Sequence, residues 1–367
     1  MSPHAYSVRE FAETLLVAVL GGGLATLAGV PAGWLSGAMV LVAAAAIAGR
    51  PMDVPNPLAR AVFVIMGMSI GTVVTPETLH GMTIWPLSIA LLSVAMLGIN
   101  AAAASYLYFV HRWDPLSSLF ASSPGGLSQV MSLAAEAGAD LRGIAIVQSI
   151  RVVILALGLP AGLALLGLSG SPRGASIEGF SLARTLLEYA VMIVTSTLGA
   201  VVLQRLRFPG GLVFGAMLPS AVLHGSGLLH VGLPWWGVYA MMVALGAITG
   251  ARFADTSFKV IARFFAAALG SFAVAAVVAA LFAAAAAWLL SLRPADVVVA
   301  FAPGAVDTMM LLALALALDP VYVGAHHVAR IMVVSGCLAL FVRYAGVRRV
   351  VSADDKPPPT VSPVVQD

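Results

Sequence analysis

Apolar residues run along this chain in long blocks, not at the one-face spacing of a surface helix. Val17 to Ala48 holds no charged residue, and Ile261 to Leu292 holds only Arg263. A helix crossing a bilayer core needs about 20 such residues. Polar and Gly/Pro punctuation divides the first half into predicted helices over 11–29, 31–49, 58–74, 84–110 and 142–168. A further segment near 116–136 is interrupted by Pro-Gly-Gly. The second half reads 184–204, 209–229, 235–251, 261–292, 295–317 and 320–345. The third segment of each half is short for a full crossing.

Composition sharpens this pattern into a class. Of 367 residues 60% are hydrophobic and only 10% charged, where a soluble domain carries about 25% charge. A globular soluble enzyme, a disulfide scaffold and a disordered protein are excluded; the chain is an integral membrane protein. Cys337, in an apolar stretch, behaves as a small hydrophobe. The net charge of +3 says little about nucleic acid, because most arginines flank apolar segments. Arg9, Glu10 and Glu13 precede the first apolar run with no small-residue cleavage pattern, so the first helix is read as uncleaved. The tail 352–367, with three successive prolines, is expected to be disordered.

The chain repeats itself. Pro124-Gly-Gly-Leu-Ser-Gln-Val-Met returns as Pro303-Gly-Ala-Val-Asp-Thr-Met-Met, 179 positions later. At that offset Asp140 meets Asp319, Gln148 meets His327, Arg151 meets Arg330, and Gly67 and Gly71 meet Gly246 and Gly250. Pro31-Ala-Gly-Trp-Leu-Ser-Gly-Ala-Met matches Pro209-Gly-Gly-Leu-Val-Phe-Gly-Ala-Met at offset 178, a pattern suited to close helix packing through small residues. The predicted fold is all-α and polytopic, with repeats at 10–168 and 182–346 joined by a Gly/Ser/Pro-rich loop.

Charge decides whether the interrupted segments cross. If they do, six basic residues fall outside: Arg142, Arg205, Arg207, Arg252, Lys259 and Arg263. If they are re-entrant, each half crosses five times, the halves are inverted, and only Arg173, Arg184 and Arg293 fall outside. The second arrangement follows the positive-inside rule better. The expected location is a bacterial inner membrane, with both termini cytoplasmic.

Non-helical backbone cannot face lipid, so Ser123, Pro124, Gly125 and Gly126, and likewise Pro303, Gly304 and Ala305, must be buried or line a cavity. Ser123-Pro124 reads as a helix start, serine capping and proline in the first turn. A helix starting inside the membrane aims its positive end at a central site, as in inverted-repeat carriers; a simple packing kink is the alternative. Asp140, Gln148 and Arg151 share one helical face, as do Asp319, His327 and Arg330. Each Asp lies about 16 Å from its Arg along the helix, so the two cannot pair there. Both aspartates can cap helices or couple an ion. Both arginines can bind an anionic solute, or pair structurally with carboxylates or helix-end carbonyls. Asp307 replaces Ser128 of the first copy and is a candidate proton or cation site. His327 could relay a proton, whereas adjacent His326 and His327 cannot chelate one metal from one face.

These doubled elements resemble the bacterial AbrB-duplication membrane family: Ser122-Ser-Pro-Gly-Gly-Leu-Ser-Gln-Val-Met with Gln148-Ser-Ile-Arg, and Phe301-Ala-Pro-Gly-Ala-Val-Asp-Thr-Met-Met with His326-His-Val-Ala-Arg. The resemblance spans nearly the whole chain; Ala305 departs where the first copy has Gly126. Members carry the labels of an ammonia monooxygenase and of an AbrB family regulator. An oxygenase needs several metal ligands, yet only two of the 7 histidines lie in an apolar segment beside a repeated motif. A DNA-binding regulator needs a basic soluble domain, which is missing. The sequence therefore favours a secondary transporter for a small, anionic solute, driven by an ion gradient, non-enzymatic and with no cofactor or metal. A non-transporting membrane sensor or scaffold that affects gene expression indirectly is the alternative. Its partners are the solute and the lipid bilayer, not nucleic acid; a homo-oligomer stays open.

The re-entrant topology puts residues near Arg205 and Arg252 in the cytoplasm and those near Arg173 and Arg293 in the periplasm. Cysteines at 173 and 293 should react with an impermeant maleimide added to intact cells, and cysteines at 207 and 252 should not. Labelling at 207 but not at 173 would overturn the inverted arrangement.

Overall fold

The computed structural model describes residues 8–74, 85–123, 127–168, 182–208, 210–254 and 256–344. The acidic, proline-rich tail, most of the loop between the halves and Pro124–Gly126 lie outside the described residues. Fourteen α-helices and no strand occur among those described. They are α1 (Val8–Leu27), α2 (Gly33–Ile47), α3 (Asn56–Gly71), α4 (Trp85–His111), α5 (Pro115–Ser122), α6 (Leu127–Ala137) and α7 (Leu141–Leu165). Then come α8 (Leu182–Arg205), α9 (Gly211–Gly225), α10 (Trp235–Gly250), α11 (Phe258–Leu289), α12 (Pro294–Phe301), α13 (Val306–Ala315) and α14 (Pro320–Tyr344). Among the described residues six spans are long and apolar enough to cross a membrane: Val8–Leu27, Trp85–His111, Leu141–Leu165, Thr185–Arg205, Trp236–Phe253 and Phe258–Leu289. The chain is a multi-pass membrane protein.

Lipid tails are as apolar as leucine, so burying leucine does not by itself hold these helices together; close van der Waals approach does. Gly21 of α1 and Gly37 of α2 meet backbone to backbone, and a Cβ on either would collide with the other's carbonyl. Gly199 of α8 and Gly215 of α9 make the same crossing. The halves interlock through the next helices. Gly67 and Gly71 of α3 press on Val213, Met217 and Ser220 of α9, while Gly246 and Gly250 of α10 press on Leu35, Met39 and Val42 of α2. Ser220 Oγ also donates to the Met68 carbonyl at 2.8 Å. Beside this glycine-knit layer, α4 lies along α11, α11 along α7 and α12, and α14 along α4, α12 and α13.

The two interrupted segments double back. The Asp140 N–H donates to Ser117 Oγ at 2.8 Å, so the residue that ends the first segment returns to its start. The Asp319 N–H donates to Asp296 Oδ1, also at 2.8 Å. Hence α5 with α6, and α12 with α13, are helical hairpins. Arms of 8 and 11 residues, and of 8 and 10, reach about 12–16 Å, half of a bilayer core about 30 Å thick. Each hairpin tip is thus about one half-membrane from its base. At the first base, Asp114 accepts from the Ser117 N–H at 2.8 Å and Pro115 opens the helix, the usual cap-then-proline start.

Gly67→Ala should lower thermal stability in detergent by about 1–3 kcal/mol, because the added methyl has only the Val213 backbone to displace. Gly158→Ala, with nothing within 4 Å of the new methyl, should leave it unchanged or slightly raised. Size-exclusion melting of both variants reads the difference; equal curves would refute the close α3–α9 contact.

Candidate functional site at the hairpin tips

Each hairpin tip is clipped by an arginine from the long helix that follows it. Arg151 of α7 donates from Nη1 to the Ser122 carbonyl at 3.1 Å and from Nη2 to that of Ser123 at 3.4 Å. Arg330 of α14 donates from Nη1 to Ala302 at 2.6 Å and from Nη2 to Gly304 at 2.5 Å. The last carbonyls of a helix have no partner within it, and its C-terminal end favours a cation. The guanidiniums therefore sit at the negative ends of α5 and α12. Ser123 correspondingly ends a helix: its N–H and its hydroxyl both donate to the Leu119 carbonyl, at 3.1 and 2.7 Å. The expected serine cap of a new helix is corrected here, because the hydroxyl is taken up by the turn behind it. Ala302 and Ala305 are extended, with ψ of 133° and 141°, so the chain changes direction over Pro303 and Gly304.

Both arginines are almost wholly enclosed, Arg151 6% and Arg330 1% exposed. Among the described side chains, which do not include that of Glu136, no carboxylate stands within ion-pair distance of either, and both Nε atoms lack a partner. One turn before Arg151, Gln148 Nε2 donates to the Phe120 carbonyl at 2.9 Å. One turn before Arg330, His327 Nε2 stands 3.3 Å from the Val299 carbonyl. Thr308 Oγ1, near the start of α13, is buried and unpartnered.

Two of the three aspartates lie away from the tips, and the third, Asp307, is in the first turn of α13 just past the second tip. Asp140 is an exposed cap whose carboxylate accepts from the N–H groups of Arg142 and Gly143, at 3.1 and 3.2 Å. Asp319 caps α14 by accepting from Val321 and Tyr322, both at 3.0 Å. Both stand at hairpin bases. Asp307 is not the unpaired acid the sequence suggested: its Oδ2 is 3.8 Å from Arg252 Nη2. At the repeat offset this pair replaces Ser128 and Val73, so acid and base arrive together.

One polar group escaped the sequence reading. Ser88 of α4 lies 2.7 Å from Tyr322 OH and 2.8 Å from His326 Nε2, all buried, and His326 Nδ1 is 2.8 Å from the Tyr322 carbonyl. Both nitrogens of His326 are thus engaged. A serine inside an apolar helix was the only local signal, and its partners stand more than 230 positions away. The structure also holds an apolar cavity of about 280 Å³ between α7, α11 and α12, bordered by Ile154, Gly158, Phe272, Ala279, Ala302 and Pro303. The second tip and the helix that clips the first therefore share one cavity wall.

Comparison of the sequence with known proteins relates the chain to a family. The family model described as "Transition state regulatory protein AbrB" matches residues 34–346. A Bacillus subtilis (strain 168) protein named "Uncharacterized protein YhjN" is 24% identical over 90% of this chain and 91% of its own length. An Escherichia coli (strain K12) protein named "Putative regulator AbrB" is 28% identical over 61% of this chain and 64% of its own.

If the two tips stand around one chamber, cysteines at Ser123 and Ala302, in a Cys337→Ala background, should join through a short bifunctional maleimide. A shift on a gel after cleavage between the halves reads the link. No link at any spacer length below about 15 Å, the depth of one hairpin, would separate the tips.

Proposed function

We propose that this chain, which belongs to the AbrB family, is a secondary carrier for a small anionic solute, with its site where the two hairpin tips meet Arg151 and Arg330. The observation that carries this reading is the pair of enclosed guanidiniums with no carboxylate beside them among the described residues. Carbonyl oxygens solvate a cation but carry no full charge, so the chamber stays positive. A buried charge is tolerated when it pairs or faces water, and a solute anion supplies the missing charge. Guanidinium holds carboxylate in a two-pronged way that ammonium cannot. Each Nη carries two N–H groups and spends one on a carbonyl, so Nε–H and a second Nη–H on each arginine remain for a two-pronged hold on the solute.

Recurrences at one offset support the architecture behind this reading. Hairpin, clip, cap and glycine crossing each occur twice, as two inverted repeats about a shared centre would place them. Irregular backbone at mid-depth, buried in protein, is the usual setting of a carrier site. Arg252 with Asp307, Gln148 and His327 complete the surroundings, while Asp140 and Asp319 serve as caps. The protein is a non-enzymatic carrier of an inner membrane, both termini cytoplasmic. The relatives' regulator name supports a second reading, a solute sensor acting indirectly on gene expression, and flux separates the two.

Purified protein in proteoliposomes should take up labelled succinate, citrate or benzoate and ignore choline and glycerol. Arg151→Lys and Arg330→Lys should slow uptake about tenfold, and the alanine variants about a hundredfold, the range expected for losing one or more charge-assisted hydrogen bonds. Stable lysine variants with unchanged uptake would remove the arginines from the site. Binding of these anions without any flux would favour the sensor.

A further inference from the structure

The two clipped hairpins differ at one informative position. Gln148 and His327 occupy equivalent places, each one turn before its arginine and each bonded to the equivalent carbonyl, Phe120 or Val299. An amide does this with a group that never titrates. An imidazole does it with Nε2–H and keeps a second nitrogen in reserve. With Nε2 donating to Val299, Nδ1 carries a bare lone pair, and in the structure it is fully buried with no partner. His326, its neighbour, has both nitrogens engaged by Ser88 and Tyr322 and lacks this capacity.

We infer that His327 Nδ1 is the proton-binding site of the carrier, so that one proton enters with each anion. This rests on the carrier reading above. A proton on Nδ1 adds a positive charge one turn from that of Arg330. Like charges crowded in a low-dielectric chamber repel strongly, so the empty site resists the proton. An anion between the arginines removes that resistance, and the protonated imidazole in turn holds the anion. Each ligand raises the affinity for the other, as linkage requires. No bond other than N–H is made or broken: the proton comes from water on the side of entry and leaves to water on the other.

The charged groups around His327 are compatible with this role. On its own helix stand Arg330, the fully bonded His326 and, near its far end, Arg343. The helices packed against α14 carry Asp296, Asp307, His111, Arg60 and Glu136. Asp296 sits at the hairpin base beside Asp319, about 12 Å along the helix from His327. Asp307 is paired with Arg252, and His111 ends α4 while Arg60 lies in the first turns of α3. The Glu136 side chain lies outside the described residues.

The test uses proteoliposomes with trapped pyranine and labelled succinate, citrate and benzoate, each corrected against protein-free vesicles. In the wild type, an inside-alkaline gradient should speed uptake about tenfold, and uptake should acidify the lumen. His327→Gln restores the residue of the first half, keeps the bond to Val299 and removes the second nitrogen. It should lose both the stimulation and the acidification, and its exchange of labelled for unlabelled anion, slowed because no imidazolium holds the solute, should no longer respond to the proton gradient. Gln148→His, which adds a second such nitrogen, should raise the protons moved per anion and stands in if His327→Gln fails to fold. Gradient-driven uptake persisting in His327→Gln, or unchanged stoichiometry in Gln148→His, would overturn the assignment. Wild-type protein that moves anions without protons would overturn it while leaving the carrier reading intact. Wild-type protein that moves none of the three anions would bring down the carrier reading, and this inference with it.

Discussion

In a bilayer no water waits to complete the hydrogen bonds of an interrupted helix, and that constraint governs the whole molecule. Each time this chain breaks a helix at mid-depth it must find partners for the carbonyls left over. It finds them in an arginine delivered by the next long helix. The arrangement is mutually dependent: the carbonyls need a donor that lipid cannot provide, and the guanidinium needs oxygen atoms to offset its lost hydration. Removing either leaves the other stranded. Glutamine and histidine one turn earlier extend the same service to carbonyls one turn back in the hairpin. The hairpin bases are finished differently, by aspartate caps and by a return bond to Ser117 or Asp296.

The remaining scaffold follows from what does not drive folding in lipid. Since apolar burial contributes little between helices there, contact surface must come from closeness, and closeness needs glycine. The glycines on α2 and α9 are therefore placed where they cross the preceding helix of the same half and those on α3 and α10 where helices of different halves cross, and the interlock of α3 on α9 with α10 on α2 ties the halves together. The alanine-rich α11 serves a related end. Its small side chains leave the apolar space beside the second tip that larger residues would fill.

Much of this was legible in the sequence, for identifiable reasons. Helix limits fell within a few residues of those expected, because apolar runs and Gly/Pro breaks are local signals. The fold-back of the interrupted segments was legible from the placement of arginines and lysines. Harder to read was which end of which helix each arginine would meet. A Ser-Pro pair looks the same whether the serine closes the helix before or opens the one after, and Ser123 closes it. Asp307 looked unpaired because Arg252 lies 55 positions upstream, and Ser88 gave no hint of Tyr322 and His326 across the molecule. Each is a contact between distant positions, which periodicity and spacing cannot carry.

The departures from symmetry are as ordered as the symmetry itself. Where the second half adds an acid at Asp307 it also adds a base at Arg252, so the pair leaves the net charge of the interior unchanged. Charge neutrality of that pair has a consequence for the chamber. If Asp307 stood alone it would cancel one of the two arginines and leave the proposed anion site a weakly charged pocket. Paired with Arg252, it is largely neutralised, and the field between the tips is set by Arg151 and Arg330. Those two positions are identical in the two halves, as are the caps Asp140 and Asp319. At the second tip the chain thus adds an acid and a base together, and one turn before the arginine it exchanges an amide, Gln148, for an imidazole, His327, against the equivalent carbonyl.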